Sequence, residues 1–119
     1  MKGINNCEVS FVNLTPHAIC VMGEGGEAIL TIPPSGTVAR VSSSTEVVAR
    51  LGGIDVVKAA YGPVENLPEP SEGTIYIVSM LVGQIAAGRD DVVGPDTSPA
   101  SVVRDPEGKI AGVKRFQRF

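Results

Sequence analysis

The chain has 119 residues, enough for one domain with a real core, and carries a net charge of -3 at pH 7. Its 19% charged and 43% apolar residues are ordinary for a globular protein and exclude a disordered or fibrous chain. The acidic balance argues against nucleic acid or an acidic membrane as the main partner, and no stretch approaches the ~18 apolar residues of a membrane span.

Fourteen glycines and nine prolines imply many turns, and abundant Val and Ile with little helical periodicity predict a mainly β domain spanning 1–119. Residues 1–7 are polar. Glu8-Val9-Ser10-Phe11-Val12 opens a strand by alternation. Asn13-Leu14-Thr15-Pro16-His17 breaks it, because Pro16 has no N–H and holds Thr15 extended. Ala18–Met22 resumes as a strand, Gly23-Glu24-Gly25-Gly26-Glu27 turns, and Ala28–Ile32 follows. Pro33-Pro34 stops that strand, Pro34-Ser35-Gly36 turns again, and Thr37–Val41 alternates with Val38 and Arg40 on one face.

Ser42-Ser43-Ser44 reads as a short connector. Residues 45–50 and 54–61 flank Gly52-Gly53 and read as a hairpin. A helix over 45–60 is the alternative, disfavoured by the β-branched residues. Residues 62–72 hold three prolines and read as an irregular crossover. Gly73–Val78 is the clearest apolar run and predicts a strand at or near the sheet centre. A helix is predicted near 80–87, with Leu81, Val82, Ile85 and Ala86 as its buried stripe and Gly88 as a left-handed residue at its end. Residues 90–101 read as irregular. Val102–Arg104 and Lys109–Val113 predict a C-terminal hairpin around Asp105-Pro106-Glu107-Gly108, since Asp, Pro and Gly stand where a type I turn wants them. The expected fold is α+β, mainly β: an antiparallel sheet or partly open barrel packed on one short helix.

Cys7 and Cys20 match no zinc spacing, and His17 is the only histidine to assist them. The beginning of the chain has Lys2 but no apolar signal core, so the expectation is reduced cysteines in a cytoplasmic protein. No cofactor fingerprint or metal motif is present. Asp90-Asp91 is an adjacent carboxylate pair, but neighbours in sequence seldom aim at one point. His17 with Ser79, Cys7 or Cys20 is a conceivable hydrolase set, without a Gly-x-Ser-x-Gly elbow.

Two segments carry binding chemistry. Ser79 stands where an N-cap belongs, so it either caps the helix or helps present an anion site at the helix start. Asp96-Thr97-Ser98, between Pro95 and Pro99, offers a carboxylate and hydroxyls for a ribose or a base edge, or is an exposed loop with local turns. Arg89 and Arg104 are the nearby cations for a phosphate. Arg104, Lys109, Lys114, Arg115 and Arg118 form a basic C-terminal run, which is either a solvated strand face or a phosphate patch.

Asn13-Leu14-Thr15-Pro16-His17, Pro34–Val41, Gly73–Ser79, Arg89-Asp90-Asp91-Val92, Pro95-Asp96-Thr97, and Val103-Arg104-Asp105 followed by Gly108-Lys109-Ile110 occur in an order that resembles small conserved proteins of tailed phages and prophages. That family brings no catalytic residues to carry over. The resemblance implies a role in binding. By analogy of scale alone, it brings in anti-defence sponges that sequester cyclic nucleotide or cyclic ADP-ribose immune signals, generally as oligomers. The expected function is therefore a non-enzymatic binder of a small phosphorylated nucleotide in phage evasion of bacterial immunity. Its ligand residues would be Ser79, Arg89, Asp96, Thr97, Ser98 and Arg104, and it would act as a homo-oligomer in the host cytoplasm. A hydrolase of the same ligands, using His17 or the acidic cluster, and a protein-binding or virion accessory module are the alternatives. Edge strands in so small a β domain also favour an oligomer.

Overall fold

The computed structural model describes residues 9–119; Cys7 and Glu8 lie outside them. The elements run β1 (Ser10–Asn13), β2 (Ile19–Met22), β3 (Ala28–Ile32), β4 (Arg40–Leu51), β5 (Ile54–Glu65), β6 (Thr74–Ile77), α1 (Met80–Ile85), β7 (Val92–Pro95), β8 (Val102–Arg104), β9 (Ile110–Val113) and β10 (Phe116–Gln117). The fold is α+β and mainly β. One sheet has the order β1-β6-β7-β10, a second β3-β2-β9-β8, and β4 pairs only with β5.

β6 lies inside the first sheet, parallel to both β1 and β7. Strand alternation sends its side chains to two different cores. Tyr76 and Val78 join Leu14, Ala39, Val82 and Val92 on one face. Ile77 joins Ile19 and Ile32 of the second sheet on the other, with Phe11, Val93 and Phe116 around them. Ile77 and Val78 are fully enclosed, each worth about 1.5–3 kcal/mol of burial. That double burial is why the run from Ile75 to Val78 is continuously apolar.

The parallel pairings β1/β6, β6/β7 and β2/β9 stand beside four antiparallel ones. The close approach of β9 to β2 needs Gly112, where a Cβ would stand 2.6 Å from the Cys20 carbonyl oxygen. β7 and β10 are strands that sequence patterning leaves irregular. β7 exists because Tyr76 N–H donates to Asp91 O at 2.8 Å and Val78 N–H to Val93 O at 2.9 Å.

Asn13 closes the break after β1. It is buried, and its Nδ2 donates to His17 O at 2.8 Å and to Ile32 O at 3.1 Å. Its Oδ1 accepts from Thr15 N at 2.9 Å and from Thr15 Oγ1 at 2.6 Å. Both ends of the amide are thus satisfied, and one side chain ties β1, the Pro16 turn and β3 together.

α1 corrects two expectations. It is six residues long and buries Val82 and Gly83, while Leu81 and Ile85 are exposed. The helix is rotated toward Gly83 because Phe119 packs into the space a side chain there would take. Ser79 sits at the N-cap with extended backbone, but its hydroxyl makes no capping bond. The C-cap is Ala86, whose N–H donates to Val82 O at 2.9 Å, and Gly88 follows two residues later with φ +104°.

The β4–β5 ribbon is longer than its sequence signal. Gly52 and Gly53 turn it with φ +60° and +82°, as a two-residue hairpin loop requires. Pairing continues from Leu51↔Ile54 back to Arg40↔Glu65, with Val48 unpaired at a register shift. Ser42–Ser44 and Gly62–Val64 therefore belong to strands. Twelve residues at about 3.3 Å each make an arm roughly 35–40 Å long. Only its base, at Val41 and Val64, joins the core. The radius of gyration is 17.2 Å, against about 13 Å for a compact domain of this length.

Candidate functional site

The parallel strands β1, β6 and β7 all end on the same side of their sheet, so Asn13–Thr15, Ser79 and Asp96–Ser98 leave it at one end. The most developed polar arrangement there is at Asp96. Ser101, fully buried, organises it: its Oγ accepts from the amides of Lys114 at 3.1 Å and Arg115 at 3.2 Å. Asp96 N–H donates to Arg115 O at 3.0 Å. With the backbone held on both sides, Arg115 Nε meets Asp96 Oδ2 at 2.5 Å, and Asp96 Oδ1 accepts from Ser98 N at 2.9 Å.

The hydrogen bond from the Arg115 guanidinium, with help from the Ser98 amide and hydroxyl, pulls the Asp96 carboxyl down from 3.8 to about 2. Asp96 is therefore an anion across the physiological range. The arginine side chain stays 59% exposed, and beyond Nε its guanidinium has no partner among the described residues. The Ser98 Oγ is enclosed and makes no well-formed hydrogen bond among the described residues, although it lies near enough to Asp96 to favour the ionised form.

Pro95 and Thr97, on either side of Asp96 in the chain, line a cleft of about 190 Å³ together with Ile19, Cys20, Ile110, Val113, Ala18, Ala111 and Gly112. Its walls come from β2, β9 and the end of β7. Cys20 is a free thiol, 3.4 Å from Met22 Sδ. The lining is apolar except at Thr97 and Cys20. Pockets for whole drug-sized ligands run about 300–1,000 Å³, so this cleft has room for one ring system and not for a complete nucleotide.

The residues expected to bind fall into three groups. Asp96 and Ser98 are joined by the Ser98 N–H to Asp96 bond, and Thr97 between them lines the cleft. Arg89 is committed elsewhere: Nε and a terminal nitrogen form a two-point pair with Asp91 at 2.9 and 2.6 Å, and its guanidinium stands 5.9 Å from the Tyr76 ring centroid. That pairing raises the Arg89 pKa and lowers that of Asp91, each chiefly through the shared hydrogen bond. Arg104 is exposed on β8 and donates to Gly108 O at 2.8 Å within its own hairpin. It reaches neither Asp96 nor Asp105; Asp105 instead accepts from Glu107 N and Lys109 N, each at 2.9 Å. Ser79 begins a helix too short for a useful dipole.

Arg115 and Ser101 complete the site; Arg115 is one of the basic C-terminal run, with nothing to single it out within that run, and Ser101 does not stand out by composition. A signal exists in the hairpin turn at 105–108: pairing outward from it sets Val102 opposite Val113 and so returns Lys114 and Arg115 to Ser101. His17 joins the polar network only through its backbone carbonyl. Among the described residues, no three His, Cys, Asp or Glu side chains are grouped for a metal ion, and no helix is long and apolar enough to cross a membrane. Compared with protein-family models, curated proteins and solved structures, the chain matches none.

Proposed function

We propose that the chain is a non-enzymatic binding protein that sequesters a small phosphorylated nucleotide signal, of the cyclic dinucleotide or cyclic ADP-ribose type, in phage evasion of bacterial immunity within the host cytoplasm. One observation carries the chemical part of this reading. Arg115 is fixed through Nε on Asp96, whose chain neighbours Pro95 and Thr97 line an apolar cleft, and the rest of its guanidinium is without a partner among the described residues. A guanidinium held this way offers a phosphate a preorganised, charge-assisted contact. The cleft accepts a base, and Thr97 at its edge offers a hydroxyl to a sugar. The biological part rests on the resemblance to phage proteins and on analogy.

Titration calorimetry against a panel of cyclic dinucleotides and cyclic ADP-ribose isomers tests the reading. Binding of at least one ligand is expected, and Arg115→Ala should weaken it by about 1.5–3 kcal/mol. Arg104→Ala should leave the affinity unchanged. Absence of heat with every ligand, at protein concentrations well above micromolar, overturns the proposal. Mass analysis of ligand released by heat denaturation separates sequestration, which returns the intact molecule, from hydrolysis, which returns a product.

A further inference from the structure

The β4–β5 arm has no partner within the chain beyond its base. An isolated two-stranded ribbon is marginal in water, and this one has both long edges unpaired. It is also covered in apolar groups that face solvent: Val47 59%, Val48 53%, Leu51 64%, Ile54 70%, Val57 53% and Tyr61 47% exposed. Alternation along β5 sets Val57 and Tyr61, with Val47 opposite Val57, on one face and Ile54, with Leu51 opposite it, on the other, so each face presents roughly 300 Å², within the range of the largest apolar patch on a typical monomer. Met80, Leu81 and Ile85 of α1, which packs beside β4 and β5, are exposed as well and extend the patch past the arm's base.

We infer that this arm is a self-association element, and that it docks against the arm of a second copy of this chain. Charge favours a second copy as the occupant. Within residues 40–65, Arg40, Arg50 and Lys58 balance Glu46, Asp55 and Glu65, so the arm is neutral and the whole net charge of -3 resides on the remainder. Two bodies repel, whereas two arms do not, and contact along the arms lets the acidic bodies stand apart. The charges on the arm are already matched across the ribbon, Glu46 opposite Lys58 and Arg50 bonded to Asp55 at 3.1 Å. An isologous contact sets each surface against its own copy, and here it leaves no charge unanswered. Packing one face of each arm on the other would bury roughly 600 Å² from the arms, to which the α1 side chains add, the size of a small, reversible interface.

This inference does not depend on the ligand reading, and its test does not use a ligand. Sedimentation equilibrium of the full chain should give a multiple of the 12.3 kDa single-chain mass. A variant whose arm is shortened, with residues 46–58 replaced by Asn-Gly so that Thr45 still faces Ala59, should sediment as one chain. It keeps Val41 and Val64 and so keeps the core; an unchanged near-ultraviolet spectrum would confirm that. Val57→Lys, on an exposed site, should raise the dissociation constant at least tenfold at unchanged helix and strand content. A single-chain mass for the full protein at high micromolar concentration overturns the inference. So does a shortened-arm variant that still self-associates, or a Val57→Lys variant with the same dissociation constant.

Discussion

The ring of Phe119 occupies the space that a side chain at residue 83 would need, and it presses equally on Gly94, where a Cβ would stand 2.7 Å from Cζ. Two glycines, one on α1 and one on β7, thus form a single socket for one aromatic ring. Gly83→Ala raises intrinsic helix propensity by about 1 kcal/mol, yet it must expel the ring. Net destabilisation of about 1–3 kcal/mol is expected in urea unfolding. Phe119→Ala should cost a similar amount, and the double variant little more than either single one, because both changes remove the ring from the same socket. Simple additivity of the two would show that the ring is not seated there.

Asp96 connects the site to pH. Its folded pKa, about 2, lies below the ordinary 3.8, so its ionised form favours the folded state above about pH 4. That contribution is lost as pH falls through 3.8 toward 2. Asp91, lowered by Arg89, acts in the same direction. Thermal unfolding followed from pH 6 to pH 2 should show a decline that is shallower in Asp96→Asn. The same slope in both proteins would mean that the pair with Arg115 is absent in solution.

Asn13 is a sharper test of the fold. Replacing it by Ala leaves Ile32 O and Thr15 N without their side-chain partner and removes one of the two side-chain donors to His17 O. A loss of about 2–4 kcal/mol is expected from chemical denaturation. Pro16→Ala, at an exposed position, should cost much less. A mild Asn13→Ala phenotype would remove the amide as the tie between β1 and β3.

Arg89 separates structural from ligand-binding arginines. Its pair with Asp91 is only partly exposed, with side chains at 25% and 13%. Arg89→Met should lower stability by about 1 kcal/mol. Its affinity for any ligand found by calorimetry should equal that of the parent chain. A loss of binding comparable to that of Arg115→Ala would return Arg89 to the site.

How much of this is legible in the residues varies by element. The hairpin at 102–113 is, because Asp105, Pro106 and Gly108 each answer a defined need of one turn. The arm is legible from its Gly52-Gly53 tip along 45–50 and 54–61, and not at its base. Ser42-Ser43-Ser44 and Gly62-Pro63 have no strand propensity of their own; Ser43 and Ser44 are β because they pair with Tyr61 and Ala60, and Ser42 and Gly62-Pro63 are carried at a register shift between those pairs and Val41↔Val64. β7 is hidden for a similar reason, since Gly94 and Pro95 argue against a strand that Tyr76 and Val78 impose. At the site, Asp96, Thr97 and Ser98 are visible as a polar cluster. Arg115 is visible only as one of a basic run; its pairing with Asp96 is not, because its place depends on Ser101, a buried serine that resembles any loop serine.

The topology also divides the chain in time. β1 must find β6 and β2 must find β9 across most of the sequence, and such distant pairings slow folding to milliseconds or longer. The arm closes on itself around Gly52-Gly53, and hairpins form in about 1–10 μs. It is thus the first large element able to form, ahead of either core. Early in folding, the chain presents a formed apolar ribbon on an unfinished body, and at high concentration two nascent chains could meet through it before either is complete.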